Sequence, residues 1–572
     1  MKSLLIYLKD YKKESFFAPL FKLLEALFEL MVPLVVASII DNGILKNDNH
    51  KIIVYGSLLI FIAIIGMVAA IVAQYFAAKV ATGFGKKVRS DLFKKIQSLS
   101  FSEMDEVGTS RLVTIMTNDT SQVQNGVNMA LRLFLRSPFI VFGTMIMAFT
   151  NDFKCALIFV ITVIILLLIV FGIMKYTIPR YRNIQNQLDI ITLKTRENLI
   201  GARVIRAFTQ ENDEKKRFVK ENNLLLRLQT IVGKISALMN PLTFAVINAS
   251  IIALIYVGGV RVNIGKLSNG EVVALYSYMS QILVELIKLA NLIVTTTKAL
   301  ACAERIENVL NIKNSTCHNE NLEITNDYAV YFDNVSLVYK NARNESLSNI
   351  NFSANKGEII GIIGGTGSGK TSLVSLIPHF YDCTSGTVYV NGIDVKAQNE
   401  DELRSKIGFV FQKSALFKGT VKENLKWGNE NASDEDILTA LSQAQILDTI
   451  NEKGGLSAKI EQNGANLSGG QKQRITIARA LVRKPEILIF DDSFSALDFE
   501  TEAKIRSIIQ NLDYKPTVFI VSQRTSSIMQ ANKIIVLDDG KCVGLGSHND
   551  LLLSSKVYKE IYDSQFNGED SL

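Results

Sequence analysis

Ile359-Ile360-Gly361-Ile362-Ile363 runs straight into Gly364-Gly365-Thr366-Gly367-Ser368-Gly369-Lys370-Thr371. An apolar run followed by G-x-x-x-x-G-K-T predicts a strand, a tight loop and a helix. The glycines let successive backbone N–H groups converge on phosphate oxygens at a helix N-terminus, Lys370 reaches the terminal phosphates, and Thr371 offers a hydroxyl to magnesium. A second apolar run, Ile487-Leu488-Ile489-Phe490, ends in Asp491, an acidic residue placed to hold that magnesium through water. The two stretches together predict a nucleotide site in an α/β domain.

That domain occupies the second half of a chain of 572 residues, too long for one hydrophobic core. Apolar residues make up 48% and charged residues only 20%. With a mean hydropathy of +0.20, this composition excludes a disordered chain and a wholly soluble one. The net charge of +7 fits basic cytoplasmic loops, and no basic run is dense enough for a nucleic-acid partner. Five scattered cysteines without C-x-x-C spacing imply neither a disulfide framework nor a zinc site. The N-terminal stretch spreads its charges and shows no small-residue cleavage site, so the first span is expected to direct insertion itself.

Runs long enough to cross a bilayer fall near Phe16–Ile40, Ile52–Ala78, Leu133–Phe149, Cys155–Met174, Ile235–Gly259 and Val272–Val294. The gaps after the second and fourth runs are long and basic, which keeps them and both termini in the cytoplasm of a multi-pass cell-membrane protein. Their apolar spacing predicts helices that continue beyond the membrane. The polar stretch 311–327 reads as a linker. The expected organisation is a six-helix all-α transmembrane domain over 1–310, then an α/β P-loop nucleotide-binding domain over 328–572 with a largely parallel sheet.

Between the P-loop and the Asp491 strand lies Leu467-Ser468-Gly469-Gly470-Gln471. In this order and spacing the chain resembles the ATP-binding-cassette (ABC) family, and its six spans ahead of the cassette resemble the exporter type. The resemblance implies that Gly364 to Ser372 (with Gly365, Thr366, Gly367, Ser368, Gly369, Lys370 and Thr371 between) binds ATP. It also implies that Tyr339 stacks on adenine, that Thr371, Gln412 and Asp491 surround Mg2+, and that Ser468, Gly469, Gly470, Gln471 and Asp498 act across a cassette dimer. Tyr328 and Tyr331 are the alternatives to Tyr339. Gly108–Arg111 and Glu197–Phe208 resemble the family's intracellular loops, with docking helices expected near Phe101–Asp105 and Phe208–Asn212.

Two positions depart from the family pattern. Asp492 stands where active members carry the Glu that polarises the attacking water, and Gln523 stands where they carry a His that contacts the terminal phosphate. A shortfall of roughly an ångström at a catalytic carboxylate costs on the order of a hundredfold. The resemblance then implies a half-transporter of a heterodimer. Its own P-loop builds a slow, degenerate ATP site, while its intact LSGGQ completes the competent site of a second half-transporter. A slow homodimer exporting lipid or peptide, and a nucleotide-gated regulator with little hydrolysis, stay open.

Glu25 and Glu29, four apart in the first span, and Glu285 and Lys288, three apart in the last, are costly at membrane depth. They either line a wet cavity, which would favour amphipathic cations as cargo, or pair with neighbours. Asp41 could bias an external gate or act as a cap. Drug-like amphipathic molecules are the expected cargo by family resemblance alone.

Overall fold

The computed structural model describes residues 4–312, 324–340 and 342–566. Most of the expected linker, together with Cys317 and His318, lies outside the described residues. The chain divides into two compact units, one of residues 1–97 and 110–312, the other of 98–109 and 313–572. Among the described residues, Cys155, Cys302, Cys383 and Cys542 are free thiols.

The first unit is built from six long apolar helices, Leu4–Ile44, Asn49–Gln97, Thr109–Asn151, Phe153–Ile200, Glu211–Asn263 and Asn269–Leu310. Each contains one of the expected spans, and each runs past it. Long apolar side chains such as Ile53, Phe61, Ile64 and Ile71 are exposed on the outside of the unit. Ala69, Ala73, Ala77 and Ala81, spaced by four on the second helix, are buried. Small residues at that spacing let helix backbones approach closely, which stands in for the hydrophobic drive that lipid removes.

The helix ends are capped by side chains. Asp152 accepts from the amides of Lys154 (2.9 Å) and Cys155 (3.1 Å) at the start of the fourth helix and pairs with Arg261 at the end of the fifth. Ser268 and Glu271 form a reciprocal capping box on the sixth. Asp41 joins that cap, accepting from the amide of Gly270 at 2.8 Å and from the hydroxyl of Ser268. Of the two sequence readings for Asp41, the structure shows the cap.

Among its described residues the second unit holds twelve strands: β1 (Val330–Leu337), β2 (Leu347–Ala354), β3 (Ile359–Gly364), β4 (Ser385–Val390), β5 (Ile393–Asp394), β6 (Ile407–Val410), β7 (Gly419–Thr420), β8 (Lys459–Ile460), β9 (Ile487–Asp491), β10 (Thr517–Val521), β11 (Lys533–Asp538) and β12 (Lys541–Gly546). The central sheet has the order β12-β11-β3-β10-β9-β6, parallel throughout except for β12. Its strands β3, β9 and β10 are almost wholly buried, as a parallel sheet covered on both faces requires. An antiparallel sheet, β2-β1-β4-β5, lies beside it. Crossovers in the parallel sheet place β10 between β3 and β9, with Val521 level with Ile362 on one side and Asp491 on the other.

The short helix Phe101–Val107, where a docking helix was expected, belongs to this second unit. Phe101 stacks on Phe380 at 4.3 Å between ring centroids, and Asp105 accepts from the Tyr381 hydroxyl at 2.8 Å. Glu106 pairs with Lys340 at 3.1 Å. At the other expected docking stretch, Phe208–Gln210 form a turn between the helix Ala202–Ala207 and the helix that begins at Glu211.

Candidate functional site

Ligands of open parallel sheets bind beyond the carboxyl ends of the strands, where neighbouring connections part. β3, β9 and β10 end together here, and a cleft of about 570 Å³ opens beyond them. Gly367 and Gly369 take φ of +84° and +93°, values that an L side chain rarely adopts. At Gly369 a Cβ would also lie 2.6 Å from the Ser346 carbonyl. The chain therefore turns sharply, and the helix Lys370–Leu376 starts at the cleft floor.

Residues 366–372 line the cleft together with Gln412, Asp491, Asp492 and Gln523. Lys370 Nζ lies over the loop, donating to the carbonyls of Gly364 (2.8 Å) and Gly365 (2.6 Å). Thr371 Oγ1 donates to Asp491 Oδ1 at 3.0 Å. Gln412 Nε2 donates to Asp492 Oδ2 at 3.2 Å. Burial pushes the carboxyls of Asp491 and Asp492 above the usual carboxylate range, and the hydrogen bonds from Thr371 and Gln412 only partly oppose it. The same desolvation pulls the Lys370 ammonium down.

Hydroxyl and carboxylate oxygens are the donors magnesium prefers, and it usually takes only one or two from protein, with the rest from phosphates and water. Thr371 and Asp491, already within hydrogen-bond distance, fit that requirement.

Other expected site residues lie outside the cleft lining. Ser468 caps the helix Gly469–Leu481 and forms a reciprocal box with Gln471, leaving Gly469 and Gly470 at its first turn. Asp498 caps the helix Phe499–Gln510 by accepting from Thr501 at 3.0 Å. Tyr339 is half-buried, donates to Ser372 Oγ at 3.0 Å and sets its ring edge-on to Tyr381. Tyr331 stacks on Tyr389, and Tyr328 packs against Tyr331. No histidine lines the cleft among the described residues. Sequence reasoning missed the loop 342–346 and Asp539-Gly540, which complete the lining. The polar run Arg343-Asn344-Glu345-Ser346 between two strands was the available signal.

In the membrane unit, the three acids singled out from the sequence, Glu25 (3.8 Å), Glu29 and Glu285, lie within ion-pair distance of a residue that was not. Arg136 pairs with Glu285 at 2.7 Å and Glu29 at 2.6 Å, Lys22 pairs with Glu25 at 2.5 Å, and Lys288 with Glu285 at 2.8 Å. The carboxylates are neutralised within the chain. Of the two sequence readings for these residues, the structure shows the pairing with neighbours.

A phosphate-binding loop on a parallel sheet, behind six bilayer-length helices, defines a membrane transporter driven by a nucleotide. The chain belongs to the ABC transporter family. Residues 15–286 match the ABC transporter transmembrane region, and residues 347–495 match the ABC transporter domain. The chain is 37% identical to the ABC transporter ATP-binding protein YfiB of Bacillus subtilis (strain 168), over all of both chains. It is 31% identical to YknU of the same organism, over 99% of this chain and 97% of that one. Its fold matches a bacterial Atm1-family ABC exporter with ATP bound, with a TM-score of 0.82 at 22% identity over 97% of this chain and 98% of that one. The fold is therefore that of an ABC exporter. Domains of this kind bind ATP with Mg2+ and couple its hydrolysis to transport.

Proposed function

We propose that the chain is one half of a heterodimeric exporter that moves hydrophobic or amphipathic small molecules, drugs foremost, across the cell membrane, with both termini in the cytoplasm. Its P-loop forms the slowly hydrolysing site, and its LSGGQ completes the competent site of the other half-transporter. Residues 1–310 carry the pathway and 328–572 the nucleotide.

The observation that carries this reading is the make-up of the cleft. Asp492 and Gln523 both line the cleft that the P-loop lines, and none of residues 468–471 does. One chain thus presents half a site, with a short carboxylate and no imidazole where water and the terminal phosphate would meet. Lys370 would leave the Gly364 and Gly365 carbonyls to bind the terminal phosphates. Thr371 and Asp491 would hold magnesium, which when bound neutralises phosphate charge. Asp492, steered by Gln412, would orient water from too far away for fast transfer.

The test is the composition of the assembly. The tagged chain is expressed with its neighbouring genes, and intact masses are measured on the purified complex. A second, different half-transporter at one-to-one stoichiometry is expected. A complex of twice 63.5 kDa, made of this chain alone, would overturn the heterodimer.

A further inference from the structure

The helix Lys556–Phe566 carries, one residue from its end, a side chain that holds the loop after β10. Gln565 Oε1 accepts from both the amide and the hydroxyl of Thr525, each at 2.8 Å, and Gln565 Nε2 donates to the Gln523 carbonyl at 2.8 Å. One carboxamide thus makes three hydrogen bonds to a three-residue stretch, using an acceptor and a donor that no aliphatic or carboxylate side chain supplies together. Thr525 is fully buried, whereas Gln565 is exposed.

The next residues of the same loop are held by the helix Phe499–Gln510. Arg506 donates to the carbonyls of Ser526 (2.9 Å) and Ser527 (3.2 Å), and Ser527 donates to Glu502 at 2.5 Å. With its backbone fastened at 523, 525, 526 and 527, the loop keeps Gln523 among the residues that line the cleft, as Asp492 and Lys370 do. The fastening at 523 and 525 depends on Gln565 and on nothing else among the hydrogen bonds of the described side chains.

We propose that Gln565 is a positioning residue that holds Gln523 toward the terminal phosphate of the bound nucleotide, so that this site's preference for triphosphate over diphosphate is set partly from the helix Lys556–Phe566. The inference rests on the cleft being the nucleotide site, and it applies whether that site hydrolyses quickly or slowly.

The test uses the full transporter in lipid nanodiscs, with photo-crosslinking by 8-azido-ATP and 8-azido-ADP quantified on this chain. Gln565→Leu should lower the ratio of ATP to ADP affinity by about threefold to tenfold, the scale of one or two lost hydrogen bonds, while ADP affinity holds. Gln565→Glu, which keeps the acceptor, should retain more of the ratio. Amide hydrogen exchange at Thr525 should quicken in Gln565→Leu, which shows that the latch was released in a folded protein. An unchanged ratio despite faster exchange, or ATP and ADP affinities falling together, overturns the positioning role. If wild-type labelling is absent or survives Lys370→Ala, the nucleotide reading of the cleft fails instead, and the proposal falls with it.

Discussion

Arg136 and Glu285, 149 positions apart, are ion-paired at 2.7 Å inside the membrane unit, with 8% and 3% of their side chains exposed. Ser137 donates to the second oxygen of Glu285 at 2.8 Å, and Arg136 also reaches Glu29. The third membrane helix is thereby tied to the first and the sixth by one guanidinium, whose fork geometry suits two carboxylates at once. A buried pair gives weak net stabilisation, but removing one partner strands the other in a low dielectric.

Arg136→Met should therefore be strongly destabilising, by about 3–5 kcal/mol, and should shorten the half-life at elevated temperature of the protein in nanodiscs. Glu29→Gln, at a side chain 38% exposed, should cost about 1 kcal/mol or less. Equal half-lives for the two variants would show that the cluster is solvated and not structural.

Gly270 offers a sharper steric test at the other end of the sixth helix. A Cβ there would lie 2.3 Å from the Ala37 carbonyl oxygen and 2.6 Å from the Asp41 carboxylate. Neither backbone nor cap can yield without separating the first helix from the sixth, so Gly270→Ala should cost roughly 1–3 kcal/mol. Thermal unfolding of Gly270→Ala beside Gly56→Ala, whose Cβ would meet nothing within 4 Å, isolates the contact from the general effect of replacing glycine. The control should be neutral or slightly stabilising.

Phe101 and Tyr381 make the third prediction. The stacked ring on Phe380 and the Tyr381–Asp105 hydrogen bond fix the helix Phe101–Val107 on the surface of the nucleotide domain. Burial and the Asp105 carboxylate hold the Tyr381 phenol well above its ordinary pKa, so it remains a donor at every working pH. Phe101→Ala removes a stacking contact of about 1 kcal/mol beyond area burial. Cargo-stimulated hydrolysis should drop several-fold while basal hydrolysis persists. Tyr381→Phe should show a smaller loss of the same kind, and loss of basal hydrolysis in either variant would point to damage at the nucleotide cleft.

What the sequence made legible was local. The P-loop glycines, the β9 strand and the six apolar runs each declare themselves within about twenty residues, because backbone geometry and bilayer thickness demand particular residues at short spacing. What it hid depends on partners far along the chain. Glu25, Glu29 and Glu285 were visible as anomalies, but their partner Arg136 sits at the end of a span, where a basic residue attracts no notice. Asp41 was visible as an outer acid, but its cap on Gly270 required knowing that the first and sixth helices meet. Gln565 carries no motif at all, since its role comes from the two carboxamide atoms meeting the 523–525 backbone after the sheet has formed. The cleft loop 342–346 was polar, like any loop, and only the crossover of β10 between β3 and β9 explains why Gln523 joins Asp492.

The departures at Asp492 and Gln523 can be tested by reversing them. Asp492 takes φ of +44°, a left-handed value that Asp tolerates better than most residues, and its amide donates to the Val521 carbonyl at 3.1 Å. The backbone is thus anchored to β10, and the carboxylate can advance only through a longer side chain. Asp492→Glu adds one methylene toward the attacking water while keeping the charge. Gln523→His adds an imidazole to a loop already fastened by Gln565. If Asp492 and Gln523 limit hydrolysis, the double variant should raise turnover at this site by at least about tenfold, with each single change giving less. Vanadate trapping of labelled nucleotide, resolved by chain, would assign the gain to this P-loop and not to a partner's. A properly folded double variant that traps no more nucleotide than the parent would place the limit in the half of the site this chain does not supply.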